Sequence, residues 1–151
     1  MAEFTNNAVQ VVNPNQPVVL NTTIGCGKGY VYHRNESGIV TLRGVVNNPC
    51  GGFARYQVTF NGNISVPEGG TAGPIAIAIT IDGEPLLTSR AIVTPTVVDA
   101  YFNVTSTAII DVPKGCCSQI SVDCVAAAND GVTPAVAINV QNANMVVSRI
   151  A

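Results

Sequence analysis

The chain of 151 residues has no tryptophan, a single histidine and few charged side chains. Charged residues make up 11% of the sequence, whereas an ordinary soluble domain carries about 25%. A compact monomer of this length exposes about 7,200 Å² of surface, so the charges supply only about one per 450 Å². Such a sparsely charged surface predicts that part of it is buried against other copies of the chain or another partner.

Positive charge is also scarce, since the net charge is −2 and the only lysines are Lys28 and Lys114. Without a basic stripe, binding to nucleic acid by counterion release is not expected, and binding to anionic membranes is disfavoured for the same reason. No run reaches eighteen apolar residues, so no transmembrane helix is expected. The first ten residues lack the features of a secretory signal, which indicates either a trimmed chain or a protein assembled inside a cell.

The polar residues form no recognisable catalytic or metal-binding motif. His33 is the only histidine, which excludes a three-histidine zinc site and makes any Ser-His-Asp triad depend on one strand residue. We expect it to be a half-buried strand histidine. No Cys-x-x-Cys pair and no Asp-x-Asp-x-Asp-Gly loop is present, and the acidic residues lie mostly at predicted turns. The sequence therefore predicts no enzyme activity, no cofactor and no metal.

What the sequence does contain is a β pattern throughout. Val, Ile and Thr dominate the apolar runs, Pro and Gly recur, and no window carries an i, i+3, i+4, i+7 stripe for three turns. About eight to ten strands at spacings of about 8–15 residues predict an all-β, antiparallel jelly-roll sandwich. Residues 1–25 are expected to form an N-terminal arm or an extra strand, and residues 26–151 the jelly roll.

The longest run, from Ala54 to Val66, contains an Asn61-Gly62 pair that is typical of a hairpin turn. The apolar alternation resumes directly after this pair, so a bulge within one long strand is favoured over a hairpin. Asp82-Gly83 is a stronger hairpin signal, because it separates two alternating apolar runs.

Four segments of the chain each carry one recognisable feature, and the features follow one another in a fixed order. The first is a strand that ends on an aromatic residue, and the second contains an Asp-Gly-Glu-Pro turn. The third contains an Asp-Val-Pro-Lys-Gly turn, and the fourth is a final aliphatic-Arg-aliphatic strand. They are Ala54–Phe60, Ile77–Leu86, Ala108–Gly115 and Asn144–Ile150. In this order they resemble the tumour necrosis factor and complement globular-head superfamily. Among its members, the C-terminal heads of the collagen-like exosporium glycoprotein of bacterial spores are the most similar in pattern.

The resemblance covers roughly residues 30–151 and implies a jelly roll that assembles as a homotrimer through an apolar central face. No Gly-x-y repeat precedes the head here, so the chain is expected to be a stand-alone head without a collagen stalk. A stand-alone head without a signal sequence fits particles built in the cytoplasm and released by lysis. The predicted location is therefore the surface of a phage virion or the outer layer of a spore.

The chain has five cysteines, an odd number that leaves at least one thiol unpaired or bridging between chains. Cys124 is expected to be a buried thiol. A disulfide between Cys26 and Cys50, which lie in glycine-rich loops, is the first candidate, with free thiols as the alternative. One of the adjacent pair, Cys116 or Cys117, is a second possible partner for either of them.

The main functional hypothesis is a non-enzymatic structural protein that forms homotrimers on a particle. The predicted oligomer contacts are Tyr101, Phe102, Val104 and Met145. The predicted attachment arm, through which other particle proteins would bind, contains Phe4, Val9, Val11 and Val12.

The competing hypothesis is a receptor-binding or glycan-binding head, with a recognition surface at residues 34–38, 82–90 and 94–101. Sugar binding usually uses exposed aromatic rings, and the candidates are Tyr30, Tyr32, Tyr101 and Phe102. Packing in the core or at a trimer axis is the favoured role for these rings. A hydrolase is the least supported class, because there is one histidine and no motif.

Overall fold

The computed structural model describes residues 1–25, 30–34, 36–44, 52–115, 117–128 and 130–150. Within these residues the protein is all-β apart from one short 3₁₀ turn at Leu87–Ser89, which confirms the predicted fold class. No helix in the described part of the chain is long and apolar enough to cross a membrane. The strands are β1 (Ala2–Asn6), β2 (Gln10–Val12), β3 (Thr22–Ile24), β4 (Val31–His33), β5 (Val40–Arg43), β6 (Phe53–Ser65), β7 (Ile75–Ile81), β8 (Glu84–Pro85), β9 (Ala91–Val93), β10 (Phe102–Pro113), β11 (Cys117–Val125) and β12 (Ile138–Arg149).

The strands form two antiparallel sheets. Sheet A has the order β10-β6-β12-β1-β3, and β2 pairs with the beginning of β12. Sheet B has the order β4-β5-β11-β7-β8, and β9 pairs with the beginning of β7. Strands that are neighbours in a sheet are mostly distant in the chain, as in a jelly roll.

The core lies between the two sheets, and in β10 every second residue from Val104 to Val112 is buried in it. The isoleucines of β7 pack in the same core, whereas Ala76 and Ala78 lie on the other side of the strand and are buried in a small cluster with Val125. Tyr56 is fully buried, and its hydroxyl donates to the carbonyl of Arg43 at 2.5 Å. This bond satisfies the only polar atom that the Tyr56 ring brings into the core.

The Asn61-Gly62 pair lies inside a single strand, as predicted. β6 runs without interruption over 13 residues and pairs with β10 in constant register through this pair. The irregularity is on the opposite strand, because the register of β12 against β6 shifts between Gln141 and Asn144. Asn142 within that shift has a φ of +55°, so the bulge belongs to β12 and not to β6.

The first 25 residues are strands of the sandwich rather than a separate arm. β1 lies between β12 and β3 in sheet A, and Phe4 is 1% exposed in the same core as β6 and β11. Val12 is also buried, so two of the four residues expected in an attachment arm are core residues. The prediction of a free arm through these two residues was wrong, because their side chains fill the space between the sheets. Val9 and Val11 are exposed.

Candidate functional site

The outward face of sheet B carries a polar row that crosses four strands. Tyr32 of β4 is paired with Thr41 of β5, and Thr41 is paired with Gln119 of β11. Asp82, directly after β7, extends the row because its N–H donates to the carbonyl of Gln119 at 2.7 Å. Adjacent strands are about 4.8 Å apart, so the row from Tyr32 to Asp82 spans about 14 Å.

Two clefts lie along this row. The first, which we call the tyrosine cleft, has a volume of about 410 Å³ and is lined by Tyr32, His33, Arg34, Ser37, Ile39, Thr41 and Gln119. The second, which we call the acidic cleft, has a volume of about 300 Å³ and is lined by Pro17, Ile39, Asp82, Gly83, Gln119, Ile120, Ser121 and Asp123. Because both are lined by Ile39 and Gln119, they form one continuous depression. The recognition turns predicted at 34–38 and 82–90 both contribute to it, whereas the segment 94–101 does not.

A chain of hydroxyl groups leads to the carboxylate on the floor of the acidic cleft. The Ser121 hydroxyl donates to Asp123 Oδ1 at 2.7 Å. Since a hydroxyl has one proton, the 2.5 Å contact between Thr80 and Ser121 must have Thr80 as its donor. Thr80 therefore donates to Ser121, and Ser121 donates to Asp123.

Burial and hydrogen bonding have opposite effects on the pKa of Asp123. Partial burial raises the pKa of Asp123 above its ordinary value, and the hydrogen bond from Ser121 only partly offsets this. No arginine or lysine is among the described residues that line the acidic cleft. The ionised form of Asp123 is thus partly desolvated, with no positive side chain among the described residues of the cleft lining.

The second carboxylate of the cleft is fixed by a tight turn. Asp82 and Gly83 have φ angles of +51° and +86°, the conformation of a two-residue hairpin loop with positive φ at both positions. The predicted Asp-Gly hairpin is therefore confirmed, although the returning strand is broken into β8 and β9 by the 3₁₀ turn. Asp82 Oδ1 accepts from the N–H of Gln119 at 2.9 Å, which aims this carboxylate at β11.

His33 is half-buried, as expected, and both of its ring nitrogens have partners. Nε2 donates to the carbonyl of Ser37 at 2.9 Å, so in the neutral ring Nδ1 accepts from the Thr23 hydroxyl at 3.1 Å. The ring also lies 4.8 Å from that of Phe4. His33 therefore connects β3, β4 and the core and helps to shape one wall of the tyrosine cleft.

Among the described residues, the potential metal ligands form no cluster of three, and the two cysteines are free. Cys124 is buried and free, as predicted, and its thiol donates to the carbonyl of Val136 at 2.8 Å. Cys117 is exposed and free, so it does not form the disulfide considered for it. The disulfide candidates Cys26, Cys50 and Cys116 lie outside the described residues. Within the described ranges, no three His, Cys, Asp or Glu side chains come together as a potential metal site.

The four predicted oligomer contacts fall into two groups. Tyr101 and Phe102 are exposed at the beginning of β10 and remain available for contact with another copy. Val104 and Met145 are 5% and 1% exposed, so the prediction that they form oligomer contacts was wrong. Val104 in β10 and Met145 in β12 are among the residues whose side chains point inward, and they pack between the two sheets of one protomer.

The outward face of sheet A carries several polar side chains. The Asn103 amide donates to Asn61 Oδ1 at 2.8 Å, and the Thr105 hydroxyl donates to the same oxygen at 3.1 Å. Further along these strands Arg55 and Asp111 form an exposed ion pair at 2.7 Å. Ile109 of β10 is the large apolar residue between them and is 52% exposed.

The chain matches no known family model and no curated protein. Among solved structures, the globular domain of zebrafish complement 1qA aligns with a TM-score of 0.52 at 14% identity, over 96% of this chain and 94% of that one. The C-terminal domain of the sugar-binding protein EclA has a TM-score of 0.41 at 13% identity, over 95% of this chain and 79% of that one. The CBM35 of Abf62 from Cellvibrio japonicus has a TM-score of 0.29 at 13% identity, with coverages of 95% and 99%.

The first of these similarities defines the class of the fold. The protein is a jelly-roll domain with the fold of a complement globular head, and it extends over nearly the full length of that head. The resemblance deduced from the sequence is thereby confirmed for the fold. At this identity the match carries no information about ligands, so the function has to be argued from the surfaces described above.

Proposed function

We propose that the protein is a non-enzymatic jelly-roll head that assembles as a homotrimer on the surface of a particle, either a phage virion or the outer layer of a spore. The observation that supports self-assembly most directly is the edge of sheet A. β10 is the last strand of that sheet and has 12 residues, so a long row of backbone groups lies at an edge that other chains can approach.

The side chains along this edge support the same interface. Ile109 and Phe102 are 52% and 43% exposed, and the neighbouring outward residues are uncharged amides and hydroxyls that can exchange hydrogen bonds with another copy. The ion pair described there, Arg55 with Asp111, is neutral as a unit. Burying such a face requires little desolvation of unpaired charge.

Native mass spectrometry of the purified protein tests this assembly. We expect a trimer that persists with reductant, and we expect Ile109→Glu to convert it to monomers, because the new carboxylate would be buried at the contact. Val132→Glu places the same charge at a residue that is 83% exposed on another part of the surface, and should leave the trimer intact. A wild-type monomer at micromolar concentration would contradict the proposal.

The particle is a separate part of the proposal and has its own test. With Phe4 and Val12 in the core, the exposed pair Val9 and Val11 is the remaining candidate contact with other particle proteins. We expect the protein in purified phage virions or spores of the producing culture, and Val9→Asp with Val11→Asp to reduce its incorporation. Absence from both kinds of particle would contradict this location.

The second candidate function is glycan or receptor binding, and the continuous depression on sheet B specifically favours it. Its volumes of about 410 and 300 Å³ are suited to small rings, and it combines an exposed tyrosine with two carboxylates and the amide of Gln119. Tyr32 is 50% exposed, and because the Arg43 guanidinium lies over its ring at 5.9 Å from the centroid, a sugar would stack on the opposite face.

A glycan array with the purified protein tests the second candidate. Binding should be lost in Tyr32→Ala and retained in Tyr101→Ala, which removes an exposed tyrosine outside the depression. If no glycan binds, or if both variants bind like the wild type, the depression is not a glycan site and the scaffold function stands alone.

A further inference from the structure

The Arg43 side chain contacts the Tyr32 ring in two ways. Its guanidinium lies over the ring at 5.9 Å from the centroid, and Nη1 of the same group donates to the Tyr32 hydroxyl at 3.3 Å. A guanidinium is planar, so it can stack on an aromatic face while its N–H groups form hydrogen bonds. The face and the hydroxyl of Tyr32 are thus both contacted by one side chain.

The strand register places Arg43 on the side of Tyr32 that is away from the tyrosine cleft. Tyr32 is paired with Thr41, and Arg43 lies two residues further along β5 on the same face of the sheet. Ile39 precedes Thr41 by two residues and lines the cleft with Tyr32. Arg43 is not among the described residues of that lining. The ring therefore stands between Arg43 and the cleft, and the face opposite Arg43 borders the cleft.

The backbone of Arg43 is held by residues of other strands and loops. Its N–H donates to the Tyr30 carbonyl at 2.9 Å, and its carbonyl accepts the hydroxyl of the buried Tyr56 at 2.5 Å. A substitution of the Arg43 side chain leaves both of these backbone bonds possible. Its contacts with Tyr32 can therefore be removed in a protein that keeps the end of β5 in place.

The Tyr32 ring needs such a contact because its own surroundings restrain it only in part. The residue is 50% exposed and lies in β4, an edge strand of three residues. When a ligand stacks on an exposed side chain, the side chain loses rotamer freedom, and binding is weakened unless the side chain is already held in the bound orientation. The two contacts from Arg43 supply this restraint before any ligand arrives.

We propose that Arg43 is the positioning residue of the glycan-binding candidate. It holds the Tyr32 ring so that one face is covered by the guanidinium and the opposite face stays turned toward the tyrosine cleft. This inference rests on the glycan-binding candidate, and it specifies how the stacking platform of that site is prepared. A sugar stacks on one face of Tyr32 only, and Arg43 acts through the ring without touching the sugar.

The test measures binding to a printed array of neutral and acidic glycans over a dilution series of protein. Arg43→Met keeps an unbranched apolar stem and removes the guanidinium. We expect its affinity for the glycans that require Tyr32 to fall about two- to tenfold, because the ligand must then immobilise the ring itself. Arg55→Met is the matched control and should bind like the wild type. It removes a guanidinium that lies over another exposed ring, Phe53, at 4.9 Å and outside both clefts.

A second measurement follows the ring without any sugar. In protein with ¹³C-labelled tyrosine rings, NMR relaxation should show that the order parameter of Tyr32 falls in Arg43→Met and is unchanged in Arg55→Met. The signal is assigned with Tyr32→Phe. A merely structural role of Arg43 would lower the melting temperature without this change. Arg43→Lys keeps the positive charge without the planar stacking group, and it should bind as weakly as Arg43→Met.

The other outcomes separate this inference from the function on which it rests. If Arg43→Met binds like the wild type while Tyr32→Ala is silent, Arg43 has no positioning role and glycan binding remains. Wild-type binding by Arg43→Lys would also overturn the inference, because charge rather than stacking would then matter. An unchanged order parameter of Tyr32 in Arg43→Met would overturn it as well. A silent array would refute both glycan binding and the role of Arg43 in it.

Discussion

Asp123 combines partial burial with a negative charge, and its ionisation state affects the stability of the fold. Because its pKa is raised in the folded protein, the folded state holds this proton more tightly than the unfolded state. The stability that Asp123 contributes is therefore fully present below its unfolded pKa and is lost as the pH rises through its folded pKa.

This gives a prediction for Asp123→Asn. The asparagine carries no charge and can still accept from Ser121, so the variant should be more stable than the wild type at pH 7. The difference in unfolding free energy should shrink as the pH falls through the raised pKa of Asp123. Urea unfolding of both proteins between about pH 4 and 8 measures it, and a wild type more stable than the variant at pH 7 would contradict it.

Two cysteines with different surroundings provide a second prediction at this scale. Burial, with the charge of Asp123 as a further cause, raises the pKa of Cys124 to about 12, so about one thiol in ten thousand is ionised at pH 8. In the native protein iodoacetamide should modify the exposed Cys117 and leave Cys124 intact until denaturant is added. Tandem mass spectrometry assigns the two sites, and fast native modification of Cys124 would show that this packing is wrong.

The residues of the depression show how far the sequence could go. Tyr32 could be named as a sugar-binding candidate from residue type, and Asp82 from its turn. Gln119 and Ser121 carry no signal of their own, because their role arises only when β11 lies between β5 and β7. Asp82 and Gln119 are 37 residues apart in the chain, and they meet only because their strands pair in the sheet. A local sequence pattern does not predict such a pairing.

At the scale of elements, one glycine fixes the edge of the acidic cleft. A Cβ on Gly38 would lie 2.5 Å from Pro17 Cβ and 2.6 Å from the carbonyl oxygen of Val18. The segment at Pro17 and Val18 is itself held by β11, because Val18 N–H donates to the Val122 carbonyl at 2.8 Å. The two backbones approach this closely only because residue 38 has no side chain.

Gly38→Ala should therefore destabilise the protein by about 1–3 kcal/mol, the usual range for overpacking. Gly52→Ala is the matched control, since a Cβ at that glycine meets no atom within 4 Å. Thermal unfolding of both variants makes the comparison. Equal melting temperatures for Gly38→Ala and the wild type would mean that the Pro17 segment moves away without loss.

The accuracy of strand prediction depended on how regular each alternation is. β6 and β7 were found because their apolar residues recur at every second position over seven residues. β1 was assigned to an arm or an extra strand because its five residues include one large apolar side chain, Phe4, among polar neighbours. The bulge was placed on β6 instead of β12 because the Asn-Gly pair gave a turn signal, whereas the shift near Asn142 follows from the pairing of two strands.

For the whole molecule, the sheet order predicts where the fold opens first. β6 and β12 lie inside sheet A with partners on both sides, whereas β3 is an edge strand whose three residues are all exposed. Amides of β6 and β12 should exchange with solvent only by global unfolding, and those of β3 by local opening. Hydrogen exchange followed by mass spectrometry should show β3 exchanging at least about a hundredfold faster. Equal protection of β3 and β12 would contradict this order.

The position of β12 also has a consequence for synthesis. This strand lies between β6 and β1 in sheet A, yet it leaves the ribosome after every other strand described here. Until it emerges, β6 and β1 have no partner on the side that it will fill, and the backbone hydrogen bonds that they form with β12 are missing. The nascent chain therefore cannot close its sandwich before β12 emerges, and the time between translation of β1 and the emergence of β12 is when neighbouring chains on the same messenger are most able to pair with the wrong strand.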